Sequence, residues 1–375
     1  MAIKGVYLTS YNLKNEADGV SKKINYQIQS MTNKGLNVDI LDLNSMKCSS
    51  IDNILQFLYR ILGLSYESSK LLIDISKENN KIKDYSFIYI RKDFCNRSQI
   101  VALKTIKKNN PQIKILIEYP TYPYDKEICG RRRILALPID QWFRRKLKYV
   151  VDRVVTFSDD SNLFGVPCIN ISNAIDYSKV SLRSPKEHDS INLIAVALFG
   201  YFHGYDRLLE AMGRNKQFVE QHNIHFHMVG NGRAVSEYMR IIKKYSIELY
   251  VHLYGKLYGS ELDQVYNIAD IAVDNMGRHR VGCFYNSSLK GKEYGAKGLP
   301  MISGVETDLD KYNLDFYFRV PADDSIIDLQ DIVRFYHEMY DGRNEKDVAT
   351  EVRKKTEQYF SFDIAFQPII DFIEG

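Results

Sequence analysis

The stretch DNMGRHRVGCFYNSSLKGKEYGAKGLPMIS, residues 274–303, concentrates side chains that suit a diphosphate. Ser287 and Ser288 are good caps for a helix starting near Leu289, whose first N–H groups lack partners within the helix and can hold a phosphate. Lys290 falls in that first turn, where a cation opposes the helix dipole at a cost of ~0.3–1 kcal/mol unless an anion compensates. Arg278, His279 and Arg280 lie just upstream, so several cationic groups could surround one diphosphate. Glu293 comes one turn inside the helix, where its carboxylate could accept hydrogen bonds from ribose hydroxyls. A capped surface helix with solvated charges is the competing reading of the same residues.

A second candidate is EYPTYPYDKE, residues 118–127. Its two X-Pro pairs, Tyr119-Pro120 and Tyr122-Pro123, enforce an extended, stiff loop beside three tyrosines, and stiff aromatic loops suit sugar stacking, although a rigid turn would look the same. Glu118, Tyr122 and Asp125 are the candidate catalytic groups here, and Asp125 or Glu127 could act as a general base. His225 and His227 alternate on HFHMVG and so share a face; lacking a third ligand they read as packing residues rather than a metal pair. GNGR, residues 230–233, is a short glycine loop offering Gly230 and Gly232.

These candidates need elements to position them. In the second half, apolar runs at 191–199, 225–230, 251–255 and 270–273 alternate with segments whose apolar residues recur at helical spacing: Tyr205, Leu208, Leu209, Met212; then Val235, Tyr238, Met239, Ile242; then Leu262, Val265, Tyr266, Ala269. Three strand-helix units imply a parallel sheet with helices on its faces. The first half shows the same grammar: strands at KGVYLTS, NVDILDL, FIYIR, IKILIEY and RVVTFSD, with a helix from Val20 to Thr32. The polar stretch SLRSPKEHDS, residues 181–190, divides the two halves. The expected domains are 1–182 and 183–355, with a closing segment at 356–375.

With 375 residues, 45% of them apolar and 26% charged, the chain is an ordinary globular protein of two or three domains. No run reaches the ~18 apolar residues of a membrane span. The amino terminus shows no signal-peptide pattern, and the five cysteines are scattered and never in CxxC spacing, so a cytoplasmic setting without a cysteine-bound metal is expected. Residues 1–185 hold 29 Lys and Arg against 18 Asp and Glu, whereas residues 186–375 hold 22 against 29. A basic first half suits nucleic acid, an anionic membrane or an anionic substrate. Eight basic residues and two acids lie between Arg131 and Arg153, with Phe143, Leu147, Val150 and Val151 as an apolar stripe. A basic amphipathic helix of this kind can rest on anionic lipid. No nucleic-acid-binding motif accompanies the charge, so nucleic acid is not expected.

Together these pieces resemble the retaining glycosyltransferases of the GT-B type, family 4. KEYGAKGLPMIS is similar to the family's "E-A-x-A-x-G-x-P" segment. LFGYFHGYDRLLEAM resembles the stretch into its first donor-domain helix, HMVGNG its "V-G-x-G" loop, and LYGKLYGSELDQVYNIADIAV its "G-x-x-x-x-x-E-L-x-x-x-Y-x-x-A-D" run. TFSDDSNLF, ISNAID and the glycine loop ADGVSKKI, with Gly19 and Val20, agree in order. The set resembles a bacterial subgroup associated with capsule and other cell-surface polysaccharides.

The resemblance implies two Rossmann-like, doubly wound domains facing a central cleft, the first binding the acceptor and the second the donor, with a last helix returning to the first domain. It implies transfer of a sugar, with retention, from a UDP- or GDP-linked donor to a glycan acceptor, expected here to be polyprenyl-diphosphate-linked. The enzyme would be cytoplasmic, peripheral at the inner face of the plasma membrane, and would need no bound cofactor or metal. Donor binding falls on Gly19, Val20, His203, Gly230, Gly232, Arg278, Arg280, Ser287, Ser288, Leu289, Lys290 and Glu293. The chain departs from the family where an Arg and a Lys usually bind the diphosphate, since Leu198 and His203 stand there. Tyr285 replaces the first of two glutamates, and the family's frequent His in the first domain is absent. Lys290, Arg280 and His203 are expected to supply the missing charge. A sugar-nucleotide epimerase and a non-catalytic partner in polysaccharide assembly are the rival readings.

Overall fold

A computed structural model describes residues 3–15 and 19–375, so Ala17 and Asp18 of the amino-terminal glycine loop lie outside the described residues. The chain divides into two compact units, residues 1–172 with 362–375, and residues 173–361. The first boundary falls ahead of the polar stretch, which belongs to the second unit. The returning segment begins at Phe362 rather than at residue 356.

Among the described residues, unit 1 carries seven strands: β1 Lys4–Leu8, β2 Asn37–Leu41, β3 Phe87–Arg91, β4 Lys114–Tyr119, β5 Arg153–Thr156, β6 Asn162–Leu163 and β7 Val166–Asn170. They lie in the order β2-β1-β3-β4-β5-β7-β6, parallel except for β6 against β7. Every residue of β3 is buried, because a parallel strand covered on both faces must be apolar throughout. The helices are α1 Gly19–Asn33, α2 Ser50–Leu62, α3 Tyr66–Lys77, α4 Asn79–Asp84, α5 Arg97–Asn109, α6 Gly130–Ile134 and α7 Ala136–Arg144. The basic segment is therefore two short helices and a turn, not the single amphipathic helix expected from its spacing.

Unit 2 carries β8 Ile191–Leu198, β9 Ile224–Asn231, β10 Val251–Gly255, β11 Ile271–Val273, β12 Met301–Ser303 and β13 Tyr317–Arg319. All are parallel, in the order β10-β9-β8-β11-β12-β13. Its helices are α8 Tyr205–Arg214, α9 Lys216–Gln221, α10 Val235–Tyr245, α11 Gly259–Ile268, α12 Leu289–Lys297, α13 Leu329–Tyr340 and α14 Glu345–Phe360. The chain starts at β8, winds outward to β10, then returns to β11 on the other side of β8. The loops after β8 and β11 thus part at the topological switch point, the place where such sheets bind ligands. The closing helices, α15 Phe362–Ala365 and α16 Gln367–Glu374, join unit 1 through Ser30 to Asp363 (3.0 Å) and Lys114 Nζ to the Phe372 carbonyl (2.8 Å).

One charged pair lies inside unit 2. Lys292 and Asp308 are both fully buried and ion-paired, with Phe360 of α14 covering the ammonium at 4.2 Å. The pair fixes α12 to the segment after β12. Removing one buried partner strands the other charge, so Lys292→Met is expected to cost about 3–5 kcal/mol. Lys297→Met, which breaks a pair to the more exposed Asp263, should cost no more than about 1 kcal/mol. Urea denaturation of the two variants measures both, and equal losses would show that the buried pair is not structural.

Candidate functional site

The switch point of unit 2 gathers four segments. After β8 the chain turns through Tyr201–His203 and enters α8 by way of Gly204, whose φ is +66°. A Cβ there would lie 2.5 Å from the Gly277 nitrogen, so glycine is required where the loops after β8 and β11 cross. After β11 come Asp274 and Asn275, both buried, and then the turn Arg278–Val281. α12 follows, capped by Ser288.

Asp274 organises these pieces. Its Oδ1 accepts from Ser288 Oγ (2.8 Å) and Asn275 Nδ2 (3.2 Å) and lies 3.5 Å from Lys290 Nζ. Lys290 donates to Asn275 Oδ1 (2.9 Å) and, more loosely, to the Tyr205 hydroxyl (3.3 Å). Burial pushes the Lys290 pKa down, and Asp274 partly restores it. The lysine that α12 carries against its own dipole is thus aimed at the end of β11. The Leu289 side chain is exposed. Glu293 is half-buried on the same helix and has no hydrogen-bond partner among the described residues; burial raises its pKa, while Lys290 and Lys297 oppose the shift.

His203 is buried, with Lys290 and Arg278 close enough to disfavour its cation. Desolvation is the larger cause, and its pKa falls to about 3. Its Nδ1 accepts the Gly200 N–H at 2.9 Å, which leaves the proton on Nε2. The ring is therefore a neutral donor, and the expectation that it replaces a missing positive charge is corrected. Arg278 is buried and stacks on Phe202 at 5.1 Å, in the same neighbourhood.

Other sequence candidates have structural employment. Arg280 holds Asp206 through two 2.8 Å bonds and also donates to Asp324 (2.7 Å) and the Tyr201 carbonyl (3.0 Å). Two carboxylates neutralise it, so it clamps the start of α8 instead of offering charge to a diphosphate. Ser287 donates to Asp308 (2.5 Å) and accepts the Asn173 N–H (2.7 Å), so its hydroxyl is spent inside unit 2. Gly230 and Gly232 let the end of β9 run against the backbone of Ala197 and Phe199. His225 and His227 gain His252 as a neighbour, with Nδ1 of His225 2.9 Å from Nε2 of His252, in a stacked row in which His227 is buried and the other two are half-buried. Asp274, Asn275 and Tyr205 were missed as candidates. The signal available was position: two of them directly follow a parallel strand, and the third opens the helix of the neighbouring loop.

In unit 1, Gly19 opens α1 after β1, and Val20 follows it. Glu118 does not stand free for catalysis. It is fully buried, paired with Arg91, and accepts from Tyr89 (2.7 Å) and Gln27 (3.0 Å). Asp125 is held by both guanidinium arms of Arg144 (2.7 and 2.9 Å) and by Gln141 (2.9 Å), and that Arg144 bonding lowers its pKa, which makes it a weak base. Tyr122 is half-buried against Phe164 (5.8 Å). The same loop borders an open pocket of about 250 Å³ whose walls include Lys92, Asp93, Pro120, Tyr124, Glu127 and Arg132.

Residues 179–278, which run from the polar stretch to Arg278, match the family model of glycosyl transferases group 1. Among solved structures, the chain is similar to a glycosyltransferase from Rickettsia africae (12% identity, TM-score 0.63, covering 99% of this chain and 98% of that one). It is also similar to a lipopolysaccharide outer core galactosyltransferase (12%, 0.61, 99% of each chain) and to Anabaena HepE in complex with UDP and glucose (12%, 0.57, 100% of each). With two parallel-sheet Rossmann-like units, these likenesses define the fold as GT-B. No curated protein matches the sequence.

The neutral His203 links stability to pH. Between 6.5 and about 3 the unfolded chain takes up a proton there that the folded chain refuses. Stability from this group is complete above pH 6.5 and falls as pH drops, by about 2 kcal/mol at pH 5. His203→Gln should lessen the fall in urea midpoint between pH 7 and pH 5, and an unchanged fall would refute the neutral, buried assignment.

Proposed function

We propose that this protein is a retaining glycosyltransferase that moves a sugar from a nucleotide diphosphate donor, UDP- or GDP-linked, to a glycan acceptor. The observation that carries the reading is the convergence, at the switch point of unit 2, of the α12 amino terminus, Lys290, Arg278 and the Nε2–H of His203. As the bond between the anomeric carbon and the phosphate oxygen breaks, negative charge grows on the departing diphosphate, and fixed donors aimed there lower the barrier. Helix N–H groups of Leu289 and Lys290, the Lys290 ammonium and the His203 donor suit that task. HepE, similar in fold, is described in complex with UDP and glucose, which supports a nucleotide sugar as co-substrate. Glu293 meets the ribose hydroxyls, one turn along the helix. The Tyr119–Arg132 pocket of unit 1 takes the acceptor glycan.

Lys290→Ala should weaken UDP or GDP binding about 10- to 150-fold while leaving the nucleoside nearly unaffected, because a charge-assisted hydrogen bond to the diphosphate is lost. Glu293→Gln should weaken the ribonucleotide and spare its 2′,3′-dideoxy analogue. Calorimetry against both ligands, together with sugar release from a panel of nucleotide sugars, checks the reading. Loss of neither affinity would remove these roles, and conversion of the donor to an epimer without any acceptor would replace transfer by epimerisation.

The acceptor is proposed to be lipid-linked, polyprenyl diphosphate being the chemistry that fits, and the protein to rest on the anionic inner face of the plasma membrane. Support comes from α2, not from a helix at 131–153. Arg144 of that segment turns inward to Asp125 and Asp140. No residue of α2 is buried, and Ile51, Ile54, Phe57 and Leu58 are each at least 48% exposed. Its polar side instead faces the protein: Asp52 bonds Tyr66, Gln56 bonds Glu67 (2.6 Å) and Tyr59 meets Ser98 (2.9 Å). The amphipathic helix is inverted, apolar side outward. Arg132 donates to the carbonyl of Gly63, the residue that caps α2, so the exposed Arg131–Arg133 run lies at the end of that helix. Apolar insertion with flanking cations is the chemistry of an anionic bilayer surface. Ile54→Glu with Phe57→Glu should abolish sedimentation with phosphatidylglycerol vesicles without lowering the melting temperature, whereas Arg145→Gln should change it little. Retained sedimentation of the double variant would reject α2 as the contact.

A further inference from the structure

The amino-terminal edge of the unit 2 sheet carries a cluster that donor chemistry does not use. His188 comes from the polar stretch ahead of β8, Asp270 directly precedes β11, and Glu345 is the first residue of α14. Their ligand atoms all lie within 4.8 Å of one another. Asp270 is completely buried, and its Oδ1 stands 3.5 Å from His188 Nε2. His188 Nε2, Asp270 Oδ1 and Glu345 Oε2 are each buried and each without a hydrogen-bond partner. Three orphaned polar atoms at one point are costly, because each has given up water for nothing.

The surroundings fix the orientation of these atoms. Asp270 Oδ2 accepts the Asn192 N–H (2.8 Å), and the Asp270 carbonyl accepts the Tyr340 hydroxyl (2.8 Å), so Oδ1 is the oxygen left pointing into the cluster. His188 Nδ1 lies 3.0 Å from the Ser190 carbonyl oxygen and 3.2 Å from the Asn192 side-chain nitrogen. These contacts hold the ring by Nδ1 and leave Nε2 turned toward the carboxylates. A backbone carbonyl on one ring nitrogen with the other left open is the arrangement that orients metal-binding imidazoles. The neighbouring cation Arg183 is occupied elsewhere, donating to the Ala269 carbonyl (2.7 Å) and the Tyr340 hydroxyl (3.0 Å).

We propose that His188, Asp270 and Glu345 form a binding site for a divalent transition-metal ion, zinc or manganese in class, that fastens α14 and the polar stretch to the sheet. Imidazole with two carboxylates is a donor set for such ions and not for the purely oxygen-seeking ones. The separation of Nε2 and Oδ1 already approximates a tetrahedral edge, about 3.4 Å for ligands about 2.1 Å from the metal. Rotation of the half-exposed Glu345 brings in the third ligand, and water completes the shell. Because Asp270 precedes β11 and Asp274 follows it, the site lies at the opposite end of the strand from the proposed diphosphate site, and its role is structural.

The test uses the full chain freed of metal with a chelator and then titrated separately with zinc and with manganese chloride. Calorimetry should show one equivalent of at least one ion bound, and the melting temperature should rise by several degrees with that ion in excess. Glu345→Gln, at a helix start where the fold tolerates it, should weaken binding more than ~10-fold and remove the rise. His188→Ala should do the same, whereas His225→Gln with His252→Gln, in the stacked histidine row, should leave both intact. No uptake, or uptake lost only in the histidine-row variant, would overturn the proposal; the first result would assign the cluster to a proton shared between His188 and Asp270.

Discussion

A buried carboxylate at the end of a parallel strand sets the terms for unit 2. Asp274 cannot be left uncompensated inside the protein, and its partners are the cap of α12, the Asn275 side chain next to it in the loop, and Lys290. Satisfying one charge therefore fixes the start of a helix, the aim of its first-turn lysine and the end of the central strand together. The amino terminus of α12, with its unpaired N–H groups, is held at the sheet's switch point as a consequence. An anion brought there would meet donors that are already placed, so little reorganisation would accompany its arrival.

The same economy employs other cations in structure. Arg280 is neutralised by Asp206 and Asp324, Lys292 by Asp308, and Arg207 gives its donors to the carbonyls of Met276 and Ser325. All lie near the switch point, and each ties the loop after β11, or α12, to its surroundings. Asp206 and Arg207, in the HGYDR stretch, are thus scaffold around the switch point, where Lys290 and Arg278 also lie. His203 adds a neutral donor, because its burial, and then the two cations beside it, disfavour a third positive charge.

In unit 1 the polar interior has a different centre. Glu118 sits fully buried among Arg91, Tyr89 and Gln27, and Gln27 in turn accepts the Tyr7 hydroxyl (2.7 Å). Strands β1, β3 and β4 and helix α1 are joined through this network, which gives the loops at their carboxyl ends a rigid base. One of those loops holds Tyr122 and Asp125, and Arg144 anchors it. The charge that made residues 131–153 look like a lipid-binding helix is partly spent in that anchoring, while the apolar face turned to solvent belongs to α2.

The sequence by itself determined the alternation of strands and helices, both parallel sheets and the serine-capped helix that carries Lys290 and Glu293. Those features depend on periodicity, on continuous apolar runs and on capping residues, all of which are local and written within a few positions of the chain. What tertiary structure decided is where each charged side chain finds its partners. Arg278 and Arg280 are two residues apart and identical in type, yet one stacks on Phe202 beside the site while the other is clamped by two carboxylates, Asp324 among them, 44 residues away. Likewise Glu118 looked available beside a proline-rich loop, but it lies one residue before the end of β4 and faces Arg91 of the neighbouring strand. The inversion of α2 has the same origin: its spacing shows that it has an apolar side, but Tyr66, Glu67 and Ser98, which pull its polar side inward, come from other helices. Partnership across distant segments is set by topology, and a carboxylate brought near by the fold turns a candidate ligand-binding cation into part of the frame.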